Sequence, residues 1–231
     1  MSGLQEIERC AAFITAQVHE PRRGAAPRRL AITVSRQTGA AEPAAVEPLL
    51  RLLQSRTPKG ERPWTVFDKN LVEKVLEDHH LSSELDRFMP EDAVSPVEDA
   101  IQEALGLHPP TDELVRQTAE TIRRLVELGN AIIIGRGANV VTADMPHVFH
   151  VRLVGSLDRR IERISRLMKL GRKEAEAYIL KEDRARARYL KRHYNADVDD
   201  PLLYHLVLNT DRFATEVGAE IVAEAALRFA R

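Results

Sequence analysis

Four apolar runs in this chain end abruptly on polar or small residues. The endings read Ser35-Arg36, Asp68-Lys69, Gly135-Arg136-Gly137 and Asn209-Thr210-Asp211. Two of them carry arginine, whose guanidinium fork matches the oxygens of a phosphate or carboxylate. Ligands of open α/β sheets bind beyond the carboxyl ends of the strands. Polar endings on four such runs therefore predict an anionic ligand above one rim of a sheet. A second concentration of cations lies in residues 159–192, with thirteen bases against five acids. There Lys181, Arg184, Arg188 and Lys191 or Arg192 recur at three- and four-residue spacing, which makes one stripe on a helix. Arg186 falls on a different face, three residues after Asp183, a spacing at which the two can pair. Crowded cations repel, and phosphate oxygens relieve that repulsion. The competing reading is a solvated basic face that pairs with residues 73–103, which hold ten acids against two bases.

The first of the apolar runs leads into the most telling local pattern. Leu30, Ile32 and Val34 are β-formers, so residues 30–35 are expected to form a central strand. Gly39 then permits a turn, Glu42 suits a helix N-terminus and Pro43 its first turn. Val46, Leu49, Leu50 and Leu53 follow at helical spacing. Strand, small-residue loop and helix make the local geometry of a phosphate-binding loop. The full motif places a lysine and a hydroxyl residue after its second glycine. Glu42, Pro43 and Ala44 stand there instead. A carboxylate about 4 Å from a phosphate charge is repelled by roughly 4 kcal/mol at an effective dielectric of 20.

The elements needed to hold these residues can be read along the chain. At 231 residues, 44% hydrophobic, the chain can bury one sizeable core. Strands are expected at residues 30–35, 64–67, 131–134, 148–154 and 204–208, with helices between them. Residues 131–134, Ala-Ile-Ile-Ile, read as buried on both faces. The helices are expected at 3–19, 46–53, 70–78, 97–107 and 113–128, at 159–191 with a break at Gly171, and at 214–229. Alternating strands and helices predict a parallel sheet wrapped on both sides.

Composition narrows the classes further. The net charge of −1 gives no bias toward nucleic acid or membrane. Aromatics are 5% of the chain, and only Tyr178, Tyr189 and Tyr194 are interleaved with the basic run, so no base-stacking platform and no nucleic-acid partner are expected. Cys10 is the single cysteine, which excludes an intrachain disulfide and a cysteine metal cluster and fits a reducing compartment. His79-His80 lacks a partner at ligand spacing, so no metal-ligating set is expected. The first twenty residues carry acids and no long apolar core, so neither a signal peptide nor a membrane span is expected and the protein reads as cytoplasmic.

The ordered set SRQTG, FDK, IIIGRGAN, KEDRARARYL, HYNAD and YHLVLNTD resembles the cytidylate kinase-like proteins, relatives of the P-loop nucleoside monophosphate kinases. The resemblance covers residues 29–231 and leaves residues 1–28 as a separate N-terminal helix and loop, whose apolar face is available to a second copy of the chain. It implies a P-loop NTPase-like three-layer α/β/α fold with a parallel sheet of about five strands and a helical lid. It also implies phosphoryl transfer from ATP, with Mg2+, to a nucleoside monophosphate such as cytidylate. Arg36, Thr38, Gly39, Ala40, Ala41 and Glu42 would then meet the donor phosphates. Asp68, Arg136 and Gly137 would lie at the acceptor nucleotide, with Gly137 where the family has an aspartate. Arg184, Arg186 and Arg188 would belong to the lid, oriented by Asp183. The degenerate loop opens a second reading, a kinase-like nucleotide-binding or regulatory protein with impaired transfer.

Overall fold

The structure is a computed structural model, and it describes residues 29–41, 45–58, 61–68 and 111–230. The expectations for the 3–19 helix, the helices at 70–78 and 97–107, Glu42-Pro43-Ala44, His79-His80 and the acidic run 73–103 lie outside those residues.

Five strands form one sheet: β1 (Ala31–Arg36), β2 (Thr65–Phe67), β3 (Ala131–Ile134), β4 (Val148–Val154) and β5 (Leu206–Asn209). Their spatial order is β2-β3-β1-β4-β5, and every pairing is parallel. β3, β1 and β4 lie inside the sheet, and their residues there are mostly buried, whereas β5 at the edge is largely exposed. Side chains alternate across it. Ile32, Val34, Ile132 and Val151 pack on one side with helices α1 (Val46–Arg56) and α6 (Thr215–Phe229). Ala31, Ile133 and Val148 pack on the other side with α2 (Thr111–Leu128) and the one-turn α3 (Ala138–Val141). This is a three-layer α/β/α arrangement with β1 at the centre of its sheet.

Two helices stand apart as a hairpin, α4 (Leu157–Met168) and α5 (Arg172–Tyr194). Ile161, Ile164, Ala175 and Ile179 join them in a small core of their own. The break falls at Lys169-Leu170-Gly171, where Lys169 takes a left-handed φ of 56° and Gly171 caps α5. Several boundaries differ from expectation by one to three residues. The last strand begins at Leu206 rather than at residue 204, because Pro201–Leu203 forms a 3-10 turn and the Tyr204 hydroxyl donates to the Val198 carbonyl at 2.9 Å. The first helix begins at Val46 as expected, with Ala45 at its N-cap and no side chain capping it, and runs on to Arg56.

One buried polar pair ties the middle of the sheet together. Thr33 and His150 are opposite residues on β1 and β4, with Thr33 Oγ1 and His150 Nδ1 2.8 Å apart. Burial, and then the neighbouring His205 ring, push the His150 imidazole down to about 4. The unfolded chain therefore binds one more proton than the folded chain between about pH 6.5 and 4. His150 contributes its full stabilisation above about pH 6.5 and loses it progressively as the pH falls to about 4, by roughly 3 kcal/mol in all. Urea unfolding across that window should show the slope, and His150→Gln should flatten it. A wild-type profile without the slope would mean that the ring protonates freely in the folded state.

Candidate functional site

The candidate site is built at the carboxyl ends of β1 and β3. Beyond β3 the chain takes three left-handed residues in succession, Gly135 (φ 81°), Arg136 (φ 55°) and Gly137 (φ 67°). Glycine adopts that region without strain, whereas arginine does so at a cost of about 1–2 kcal/mol. At Gly137 there is also no room, since a Cβ would sit 2.9 Å from Cε2 of Tyr194. The turn brings Arg136, only 4% exposed, under the hairpin. There Arg36, Arg136 and Arg186 line one narrow cavity of about 30 Å³, with Ser35, Asn139 and Tyr189 among its other walls. Its size suits a group of a few heavy atoms. Asn139 is 4% exposed, and its Nδ2 has no hydrogen-bond partner among the described residues.

The loop after β1 is fixed from outside. Gly39, at φ 76°, packs so closely on α4 that a Cβ would lie 2.8 Å from the Arg160 carbonyl. Arg160 Nη1 donates to the Thr38 carbonyl (3.3 Å), and Arg163 Nη1 donates to those of Gly39 (3.1 Å) and Ala40 (3.0 Å). Thr210 Oγ1, just past β5, also donates to the Ala40 carbonyl at 2.5 Å. Asp211 Oδ2 accepts the Ser156 N–H at 2.7 Å and holds the start of α4. The polar ending after β5 thus anchors both the loop and the hairpin.

The far side of the loop meets Asp183 on α5. Its Oδ1 accepts from the Thr38 N–H (2.8 Å), the Thr38 hydroxyl (2.9 Å) and Arg186 Nη2 (2.5 Å). Its Oδ2 accepts from Arg160 Nη1 at 2.5 Å. Arg186 Nη2 also donates to Thr38 Oγ1. Burial pushes the Asp183 carboxyl up, but the hydrogen bonds from Thr38, Arg186 and Arg160, with the Arg186 charge, outweigh it and hold the group below the usual carboxylate range.

A larger cavity of about 390 Å³ opens beside the loop, between the sheet and the N-terminal ends of α1 and α6. Val34, Leu49 and Val222 contribute to its apolar walls, while Arg36, Asp68 and Thr210 supply polar groups. Arg36 is common to both cavities.

The residues expected from sequence are therefore distributed unevenly. Arg36, Arg136, Gly137 and Arg186 share the narrow cavity; Ala40, Ala41 and Asp68 line the larger one, so Asp68 borders a different cavity from Arg136 and Gly137. Thr38 and Gly39 form the loop between β1 and α4, and Asp183 touches Thr38. Arg184 and Arg188 are exposed and line neither cavity. Glu42 lies outside the described residues.

Three arginines were not singled out from sequence. Arg160 and Arg163 were lost in the count of a basic run; their i, i+3 spacing after Gly155-Ser156 was the available signal. Arg152 sits inside an apolar strand at 5% exposure. It donates to Ser35 Oγ (2.9 Å) and Asp199 Oδ1 (2.6 Å), and its guanidinium lies 5.6 Å from the centre of the Tyr204 ring. A charge within a buried strand must be paired, so its position alone announced a partner.

Among the described residues no group of three or more His, Cys, Asp or Glu side chains gathers to hold a metal, and no helix is long and apolar enough to cross a membrane.

Comparison with known proteins gives the same architecture. An uncharacterized protein from Eubacterium ventriosum aligns at a TM-score of 0.62 and 14% identity, over 86% of this chain and 98% of that one. Shikimate kinase from Bacteroides thetaiotaomicron aligns at 0.49 and 15%, over 84% and 97% respectively. No curated protein matches the sequence. The profile of the cytidylate kinase-like family matches residues 64–212, more than half of the chain. That span takes in the glycine-arginine turn, the helical hairpin and the polar ending of β5, and it makes the chain a member of the cytidylate kinase-like family.

Proposed function

We propose that the protein binds ATP beside the loop after β1 and transfers its terminal phosphoryl group to a nucleoside monophosphate. The observation that carries this reading is the shared position of Arg36, which borders both the narrow, arginine-lined cavity and the larger, mostly apolar one. Cavities of about 300–1,000 Å³ with apolar walls and a few polar groups suit small organic ligands. The larger cavity fits a donor nucleotide by volume and by its mixed lining. The narrow cavity fits a phosphate, with Arg136 and Arg186 as the cations that meet its oxygens. Phosphoryl transfer spreads negative charge over equatorial oxygens, so its catalysis is mostly positioning and cation placement. When bound, ATP with Mg2+ supplies the activated phosphoryl group and part of the counter-charge. Magnesium is commonly held by one or two carboxylates together with substrate phosphates. With no cage of ligands among the described residues, Mg2+ is expected to enter on the nucleotide. Arg36 then lies where donor and acceptor phosphates meet, and Asp183 holds Arg186 until a ligand arrives.

A second reading is supported by one contact. The Thr38 N–H, which a phosphate-binding loop would turn toward its ligand, is engaged by a carboxylate. Together with Glu42-Pro43-Ala44, this favours a family member that binds nucleotide and transfers slowly or not at all. Titration calorimetry with ATP, with and without Mg2+, followed by a coupled assay over a panel of nucleoside monophosphates, separates the readings. Binding with turnover supports the kinase, and binding without turnover supports the second reading. Absence of nucleotide binding overturns both.

A further inference from the structure

Four donor groups converge on the carboxylate of Asp183. They are the Thr38 N–H, the Thr38 hydroxyl, Arg186 Nη2 and Arg160 Nη1, all at 2.5–2.9 Å. Backbone N–H groups, hydroxyls and guanidinium forks are also the donors that hold phosphoryl oxygens. The cluster has the make-up of an oxyanion site, and two observations identify Asp183 as its occupant. The carboxylate arrives from α5, 145 residues along the chain, rather than from the loop itself. The side chain retains 25% exposure while Arg160 retains 9%, so the anion lies toward solvent and the cation behind it.

We propose that the Thr38–Arg160–Arg186 cluster is a phosphoryl-binding site that this chain keeps filled with its own carboxylate, so that a polyphosphate must displace Asp183 to bind. The proposal rests on the nucleotide reading above in taking the loop after β1 as the phosphate-contacting loop. It adds Arg160 to the residues that hold the anion, and it gives Asp183 the part of an internal competitor. Asp183 carries one negative charge and bonds to two guanidinium groups and the loop. An incoming phosphate makes the same bonds only after the carboxylate leaves. Removing that charge while keeping the side chain's shape takes the negative charge away from Arg160 and Arg186 and leaves a weaker acceptor on the Thr38 N–H for a phosphate to displace.

The test uses inorganic tripolyphosphate and the full chain. Calorimetry should show Asp183→Asn binding tripolyphosphate at least tenfold more tightly than wild type, with the gain shrinking as sodium chloride is raised. Adding Arg160→Met to Asp183→Asn should abolish the gain. Equal affinities for wild type and Asp183→Asn, or a gain that survives Arg160→Met, would overturn the proposal. The unmodified chain provides an independent readout: the carbon-13 shift of the Asp183 carboxyl should move when tripolyphosphate saturates the protein, and a fixed shift would also overturn it. Nucleotide titrations distinguish this outcome from failure of the functional reading. Tripolyphosphate gaining in Asp183→Asn while no nucleotide binds either form would sink only the nucleotide reading. Nucleotides binding both forms equally would sink only the competition.

Discussion

Arg160→Met should lower the stability of the protein by about 3 kcal/mol at neutral pH, the low end of what breaking one side of a buried ion pair costs. The substitution takes one nearly buried cation from Asp183, whose side chain keeps 25% exposure, and removes donors from the carbonyls of Gly155 and Thr38. Arg186 and Thr38 remain on the carboxylate, which is why the low end applies. Asp183 has a lowered folded-state value. Its contribution is present above the ordinary aspartate value of about 3.9 and is lost as pH falls through the folded value. The difference between wild type and Arg160→Met should therefore narrow in acid. Urea unfolding at pH 7 and at pH 3 measures both effects through the midpoint at constant slope. A loss below about 1 kcal/mol at pH 7 would class the contact with ordinary surface pairs.

Arg136→Ala should weaken binding of a nucleoside monophosphate by roughly ten- to hundredfold, the value of one or two hydrogen bonds to a charged group. Arg186→Ala should fall in the same range, whereas Arg228→Ala, at an exposed position in the last turn of α6, should leave binding unchanged. Arg136 is buried and held in a left-handed turn, so a melting curve must accompany the titration. Comparable losses for all three variants would mean that the acceptor phosphate is held elsewhere.

Much of the scaffold was legible because it rests on local periodicity. Residues 131–134 and 148–154 form strands at the expected limits, since an unbroken Ala-Ile-Ile-Ile run, and Val, Phe and Leu at five of seven positions around His150 and Arg152, favour a strand. The break near Gly171 was legible for a similar reason, as glycine suits the cap that starts α5. The pairing of Asp183 with Arg186 followed from helical spacing. What sequence did not disclose depends on contacts between distant segments. Thr38 meets Asp183 across 145 residues, and Arg163 reaches Gly39 across 124. No local pattern encodes such an approach. Arg184 and Arg188 share the stripe that drew attention to α5, yet they are exposed, while Arg160, outside that stripe, is nearly buried. Charge spacing identified the helix face, and packing decided which cations face inward.

The grip of α4 on the loop constrains how this protein can move. Three successive loop carbonyls are held by Arg160 and Arg163, so α4 and the loop behave as one rigid piece. Swinging the whole hairpin from its base would tear that piece apart. Lifting α5 about Lys169 and Gly171 would in turn cost the Asp183 contacts and the core that Ile161 and Ile164 share with Ala175 and Ile179, so the loop, α4 and α5 resist separation together.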